Sequence, residues 1–330
     1  MSDKIMSILI EVRKIKKYFP IGAGLFRKPK SFVRAVDNVS FRIKRGETLG
    51  LVGESGCGKT TTGLLVLRLL ELTAGDVYFE GRNISSLDNA KMKKLRTKMQ
   101  IIFQDPFASL NPRQTVYQIL SYPLRLHNVN RGVNDRINEI LVDVGLSPPE
   151  QFIKRYPHQL SGGQRQRVVI ARAIELGPSF IVADEPISSL DLSIQAQILK
   201  LISDLKKGLK LSFLWISHDL SMVRFVSNRV AVMYAGKIME LADTSDLFAE
   251  TLHPYTEALL SARPVPDPKA TRSKRRIILI GEPPSLANLP SGCRFSPRCP
   301  QKMAVCSEVE PLLIEVEKNH FVACHRRDRS

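Results

Sequence analysis

No stretch of this 330-residue chain approaches the roughly 18 to 20 consecutive apolar residues that a membrane helix needs. The longest candidates, such as Leu64-Leu65-Val66-Leu67-Arg68-Leu69-Leu70, are short and broken by charge, so the chain is not expected to span a bilayer. A secretory signal is missing too. The apolar run Ile5-Met6-Ser7-Ile8-Leu9-Ile10 is very short and the basic residues follow it, the wrong order for export, so a cytosolic location is expected. Acidic residues are few beside basic ones, 32 against 49, which leaves a formal charge of +17. That excess suits nucleic acid, an acidic membrane face or phosphates, or a basic surface that only confers solubility, and charge alone does not choose among them. Cysteine is scarce, five in all, yet four lie between Cys293 and Cys324. A reducing cytosol disfavours disulfides, so shared ligation of a metal or cluster is the leading explanation of that clustering. The remaining composition, 43% hydrophobic and 25% charged, is that of an ordinary globular protein and excludes disordered, collagen-like and coiled-coil chains.

Patterning predicts short strands at 8–12, 39–43 and 48–52, with a Gly, Pro and Lys-rich surface loop from Pro20 to Lys30 between the first two. A helical pattern from Thr60 follows the third strand, giving the order strand, glycine-rich turn, helix. From about Ile84 to Gln159 the sequence turns polar and mostly helical, with a strand at 99–103 and a proline-marked turn at Leu110-Asn111-Pro112; this reads as an inserted helical lobe. A helix at 163–176, a buried strand at 180–183, a helix at 194–206 and a strand at 212–216 come next. Their alternation predicts a parallel sheet covered on both faces. Beyond about Leu252, Pro264, Pro266 and Pro268 and the basic run 269–276 read as a linker into a small cysteine-bearing appendix.

The segment Gly53-Glu54-Ser55-Gly56-Cys57-Gly58-Lys59-Thr60, with Thr61 beside it, fits the phosphate-loop pattern in its required context between strand and helix. Glycines let the backbone wrap a polyphosphate so that amide N–H groups donate to it, and the following helix adds partial positive charge. Lys59 would neutralise the β and γ phosphates and the Thr60 hydroxyl would ligate magnesium. The plainer alternative is a glycine-rich turn carrying an incidental lysine. Downstream, Phe180-Ile181-Val182-Ala183-Asp184-Glu185 is an apolar strand ending in two carboxylates. Alone, such a pair most simply caps a helix; beside a phosphate loop, Asp184 is the candidate magnesium ligand and Glu185 the base that orients and deprotonates the attacking water.

Leu160-Ser161-Gly162-Gly163-Gln164, followed by Arg165-Gln166-Arg167, resembles the signature of the ATP-binding-cassette (ABC) ATPases, and the other stations of that family occur in order. Gln104 matches the glutamine that senses magnesium and contacts the transporter. Ser189-Leu190-Asp191 matches the dimer-contacting loop, and His218 the switch histidine. Tyr18 sits where the family stacks an aromatic on adenine, with Phe19 the fallback. The resemblance implies an α/β fold: an ABC-type nucleotide-binding domain over 1–252, built from a P-loop parallel-sheet core, an antiparallel β subdomain and a helical subdomain at about 84–176. It further implies that two cassettes sandwich ATP and Mg2+ head to tail, with Ser161, Gly163 and Gln164 facing the nucleotide of the opposite chain.

Within that family the chain is most similar to the ATPase subunits of oligopeptide and dipeptide importers. The strings that carry this are Phe103-Gln104-Asp105-Pro106-Phe107-Ala108-Ser109-Leu110-Asn111-Pro112-Arg113, Tyr156-Pro157-His158, Ser193-Ile194-Gln195-Ala196-Gln197, His253-Pro254-Tyr255-Thr256 and Cys293-Arg294-Phe295-Ser296-Pro297-Arg298-Cys299-Pro300. Leu110-Asn111-Pro112-Arg113 looks like the second of the two paired ATPases of such systems. The resemblance implies a homologous second ATPase, two transmembrane permease subunits, a solute-binding protein reached through them, no nucleic acid, and a place at the cytoplasmic face of the membrane. Residues 253–330 become an importer-type extension. Its Cys293, Cys299, Cys306 and Cys324 are separated by five, six and seventeen residues. Four thiolates suffice for zinc or for a [4Fe–4S] cluster, and the gaps exceed those of common zinc knuckles. The resemblance favours the iron–sulfur cluster, with zinc the alternative, in a role that holds the tail. Oligosaccharide is the alternative cargo; a nucleic-acid- or ribosome-acting ABC ATPase is the alternative from another class, though such proteins generally carry two cassettes or a long coiled-coil insertion.

Overall fold

The computed structural model describes residues 7–22, 29–129, 132–262 and 277–328. Most of the loop expected at 20–30 and all of the linker at 264–276 lie outside the described residues. The chain divides into two compact units, one formed by Met1–Leu9, Ile43–Glu47 and Ser86–Trp215, the other by Ile10–Arg42, Thr48–Ser85 and Ile216–Ser330.

In the first unit the strand Met99–Ile102 runs parallel to Phe180–Asp184, in register from Met99 opposite Phe180 to Ile102 opposite Ala183. The strand Ser212–Ser217 lies on the other side of Phe180–Asp184. Both Phe180–Asp184 and Ser212–Ser217 are buried at every position. Their unbroken apolar runs suit strands covered on both faces, where an alternating pattern would leave apolar groups unmatched. The helices Asn89–Leu95, Pro106–Ser109, Val116–Leu126 and Val133–Asp143 form the lobe. The longer helix Gly162–Ile174 touches Val116–Leu126, Val133–Asp143 and the strand Met99–Ile102, burying Val168, Val169, Ile170 and Ala171. Four consecutive buried residues surround the helix, and at about 1.5 to 3 kcal/mol for each fully buried aliphatic side chain of valine size or larger they hold it in place on all sides.

In the second unit the strand Thr48–Val52 runs parallel to Arg229–Tyr234. The sheet continues antiparallel through Lys237–Asp243 and His320–Val322 to an edge at Ile314–Glu317. A second sheet orders Ser31–Lys44, Ile8–Ile21, Ala74–Phe79 and Arg82–Asn83. The strands expected at 8–12 and 39–43 are segments of much longer strands, which also bury Ile15 in the first and Ala35, Val36 and Asp37 in the second. The C-terminal residues extend the first of these sheets: Glu240 and Leu241 pair with Val322 and Phe321. Glu240 is fully buried there and accepts hydrogen bonds from the backbone N–H of Leu252 at 2.7 Å and of His253 at 3.1 Å, with His320 Nε2 at 2.7 Å. Among the described residues no helix is long and apolar enough to cross a membrane.

Glu175, just past the helix Gly162–Ile174, is 2% exposed, and neither carboxyl oxygen has a hydrogen-bond partner among the described residues. Burial, only partly opposed by Arg172 and Arg136, pushes its carboxyl up from its ordinary 4.5 to about 9. The folded chain thus prefers the protonated form, and this site's contribution to stability falls as pH rises from about 4.5 towards about 9. Glu175→Gln should remove that loss. Thermal denaturation at pH 5 and pH 8 is expected to show a smaller drop for the variant than for wild type, and equal drops would contradict the buried neutral carboxyl.

Candidate nucleotide site

The second unit carries the phosphate loop. The fully buried strand Thr48–Val52 ends at Gly53, and the helix Lys59–Val66 begins six residues later with Gly58 as its N-cap. Gly58 has a φ of 106°, and a Cβ there would sit 2.2 Å from the Ala35 carbonyl oxygen, so only glycine lets the turn close. Lys59 is 5% exposed, and its Nζ donates to the carbonyl oxygens of Gly53 at 2.8 Å and Glu54 at 2.9 Å. Its ammonium therefore lies inside the curve of the loop, while Ser55, Gly56 and Thr60 are exposed and Thr61 is half-buried. Burial pushes the Cys57 thiol up, which makes it a packing residue and no nucleophile.

Tyr18 donates its hydroxyl to Asp37 Oδ1 at 2.6 Å, and burial together with that bond pushes the phenol up to about 12. Phe19, the next residue along the strand, is exposed. His218 is exposed directly after the strand Ser212–Ser217. It precedes Asp219, which caps the helix Leu220–Val226 by accepting from the Ser221 N–H at 2.7 Å.

The first unit brings Gln104, Asp184 and Glu185 together at the ends of its parallel strands. Asp184 closes the strand Phe180–Asp184 and is 4% exposed. Glu185 has a φ of 45°, a left-handed conformation that non-glycine residues rarely hold unless their surroundings impose it. Gln104 Nε2 donates to Glu185 Oε2 at 3.0 Å. Gln166, 1% exposed, donates to the Pro186 carbonyl oxygen at 2.6 Å and so pins the residue that follows Glu185. Ser161 and Gln164 cap the helix Gly162–Ile174 reciprocally: the Gln164 N–H donates to Ser161 Oγ at 3.3 Å and the Ser161 N–H to Gln164 Oε1 at 3.0 Å. A Cβ on Gly163 would meet Ile194 Cγ2 at 2.9 Å, so the turn packs against the segment after Ser189-Leu190-Asp191 too closely for a larger residue. Arg165 donates to the Pro157 carbonyl oxygen at 2.6 Å and lies 3.9 Å over the Phe107 ring, tying the signature helix to the loop after Gln104.

Sequence reasoning passed over Gln166, although it lies inside the quoted signature string, because its role depends on a carbonyl twenty residues away. It also gave no role to Tyr255 of His253-Pro254-Tyr255-Thr256, whose hydroxyl accepts the Glu54 N–H at 3.0 Å.

The four late cysteines lie in one region. Cys293 and Cys306 are buried, and the Cys293 N–H donates to the Cys306 carbonyl oxygen at 2.8 Å. Burial pushes Cys293 up to about 11, opposed by a hydrogen bond from the Phe295 backbone and reinforced by the three other thiols. Burial likewise raises Cys299 and Cys324, with backbone hydrogen bonds from Gln301 and Arg326 opposing it. Among the described residues, however, no group of three or more His, Cys, Asp or Glu side chains is placed to hold a metal ion. No metal site is therefore evident at the four thiols for the expected [4Fe–4S] cluster or for its zinc alternative.

A phosphate loop between strand and helix, a buried strand ending in Asp184 and Glu185, and a capped Ser161–Gly163 turn define an ABC-type ATPase. The comparisons agree. Residues 36–188 match the ABC transporter family and residues 239–306 the oligopeptide/dipeptide transporter C-terminal region. The chain is 51% identical to the oligopeptide transport ATP-binding protein AppF of Bacillus subtilis, over 96% of this chain and 97% of that one. It is 49% identical to a putative peptide import ATP-binding protein of Brucella ovis, over 96% and 98% of the two chains. Among solved structures, the ATP-binding cassette MJ0796, in a dimeric post-hydrolysis state bound to ADP and Pi, superposes with a TM-score of 0.63 at 28% identity, covering 72% of this chain and 99% of that one. The chain belongs to the ATP-binding subunits of ABC transporters, in their oligopeptide/dipeptide branch.

Gln166→Leu should lower ATP hydrolysis by about tenfold or more, since losing one positioning hydrogen bond costs on the order of 1.5 kcal/mol in a buried site. Steady-state ATPase assays on folded protein check this, and unchanged turnover would show that the Pro186 bond does not position Glu185.

Proposed function

We propose that this chain is the ATP-hydrolysing motor of a peptide importer, with Glu185 as the base for the attacking water. The observation that carries the reading is Glu185 itself, held in a left-handed conformation between Gln104 and the pinned Pro186. Gly53 to Thr61 bind the phosphates through backbone N–H groups, and Lys59 exchanges its two carbonyl partners for phosphate oxygens. Thr60, Gln104 and Asp184 each carry an oxygen of the hard kind that magnesium prefers, and the resemblance assigns them to the ion, which would neutralise phosphate charge. Glu185 accepts the proton of the water that attacks the γ-phosphate, and His218 hydrogen-bonds at the same phosphate. Tyr18, or Phe19 with its freer ring, stacks on adenine. Ser161, Gly163 and Gln164 add donors and the positive end of their helix to the nucleotide of a second cassette.

The names of the relatives support peptide as cargo, with oligosaccharide second. Partnership with a homologous ATPase, two permease subunits and a solute-binding protein, and peripheral attachment at the cytoplasmic face, rest on the resemblance; the charge of +17 suits anionic head groups there. A nucleic-acid-acting role is disfavoured and would show as ATPase activity stimulated by nucleic acid without a permease. The iron–sulfur cluster on Cys293, Cys299, Cys306 and Cys324 rests on the resemblance alone, and no step above runs through it. Anaerobically purified protein is expected to be brown with about four irons per chain, as that cluster type requires; colourless protein with stoichiometric zinc would overturn it.

Glu185→Gln keeps the hydrogen-bonding shape and removes the base. Turnover should fall by about 100-fold or more while ATP still binds and holds two cassettes together. Near-wild-type hydrolysis would refute the assignment.

A further inference from the structure

Two arginines stand beside the first two cysteines of the appendix, and both reach segments assigned to the nucleotide. Arg298, immediately before Cys299, has a side chain 8% exposed, and its Nη1 donates to Glu54 Oε2 at 2.7 Å with the Tyr234 hydroxyl 3.4 Å away. Glu54 is the second residue of the phosphate loop, and its N–H is already held by the Tyr255 hydroxyl. Arg294, immediately after Cys293, has a side chain 3% exposed. It donates to Asp37, to the Ala235 carbonyl oxygen at 2.5 Å and to Glu310 at 3.1 Å. Asp37 is the partner of the Tyr18 hydroxyl. Between the two arginines Phe295 is buried among the rings of Tyr234, Tyr255 and His253, with centroids 5.3, 5.4 and 5.6 Å away. One short loop, 293–299, thus grips the phosphate loop directly and Tyr18 through one carboxylate.

A carboxylate inside a loop that receives a polyphosphate repels its ligand unless its charge is cancelled. Arg298 supplies that cancellation in a charge-assisted hydrogen bond from a nearly buried group. The dependence is mutual: the Arg298 Nε has no hydrogen-bond partner among the described residues, so Glu54 is the anion that compensates this buried cation.

We propose that Arg298 is a positioning residue for the nucleotide: by holding Glu54 it fixes the phosphate loop and cancels the carboxylate's repulsion, so that the packing of the cysteine appendix sets the affinity for ATP. This rests on the phosphate-loop reading of Gly53 to Thr60. It gives the appendix a task beyond holding the tail.

The test is equilibrium titration of the full-length chain with a fluorescent ATP analogue and Mg2+, paired with steady-state kinetics. Arg298→Ala should weaken binding about tenfold, the worth of one such charge-assisted bond, and raise KM in parallel while kcat at saturating ATP stays near wild type. A merely structural loss would lower kcat through the folded fraction and leave KM alone. In a Glu54→Gln background, where no charge remains to cancel, Arg298→Ala should change affinity by less than about twofold. Unchanged affinity in folded Arg298→Ala protein, or an equal loss in both backgrounds, overturns the proposal. Should Arg298→Ala fail to fold, Arg298→Gln, which keeps a polar side chain and loses the charge, takes its place: weakened affinity supports the proposal, and wild-type affinity overturns it. Lys59→Ala serves as control. Its loss of binding without any loss in Arg298→Ala refutes the positioning role alone, whereas retained binding refutes the phosphate-loop reading beneath it.

Discussion

A nucleoside triphosphate brings about four negative charges into a small volume, and a protein receives it only where N–H donors and a cation already point inward at little further cost in ordering. In this chain that requirement falls on the turn from Gly53 to Lys59. The strand before the turn is buried at every position and the helix after it starts at a glycine that no other residue could replace. Lys59 is parked on two carbonyl oxygens of the same turn, so its charge is held in place by bonds that phosphate oxygens can take over. The rigidity of the sheet and the curvature of the loop are therefore one constraint seen at two scales.

A comparable economy appears in the first unit, where the reacting water would be handled. Glu185 follows a fully buried strand and adopts a backbone conformation that costs on the order of 1 kcal/mol or more for a side chain of its kind. Gln104 holds its carboxylate and Gln166 holds the residue after it. Gln166 belongs to the helix whose first turn carries Ser161 and Gly163. The Ser161–Gly163 turn proposed to face a second cassette and the amide that pins Pro186 beside the proposed base thus belong to one helix.

The C-terminal extension docks by polar anchors placed in apolar surroundings. Glu240, fully buried, gathers two backbone N–H groups and His320; Arg294 gathers Asp37, Glu310 and a carbonyl oxygen; Arg298 gathers Glu54. Buried charges without such partners would be costly, so each anchor specifies one seating of the extension against alternatives that leave a charge unpaired. Two of the three anchors end on residues of the region proposed to bind the nucleotide.

Local chemistry made much of this legible in the sequence. The phosphate loop, the apolar strand ending in Asp184 and Glu185 and the Ser161–Gln164 cap are each written in a few consecutive residues, because glycine placement, strand burial and helix capping act over a few bonds. The full lengths of the strands Ile8–Ile21 and Ser31–Lys44 were not legible, since Arg13-Lys14 and Lys16-Lys17 break the apolar pattern of the first and Arg34, Asp37 and Asn38 that of the second. Nor were the bonds from Gln166 to Pro186, from the Glu54 N–H to Tyr255 and from Arg298 to Glu54, whose partners lie far apart along the chain. The cysteine spacing suggested shared ligation, yet where the thiols sit depends on how the Cys293–Cys299 loop packs around Phe295. Sequence fixes what a residue can do within its own turn; which distant group it meets is decided only in the folded chain, where burial and charge pairing select the partner.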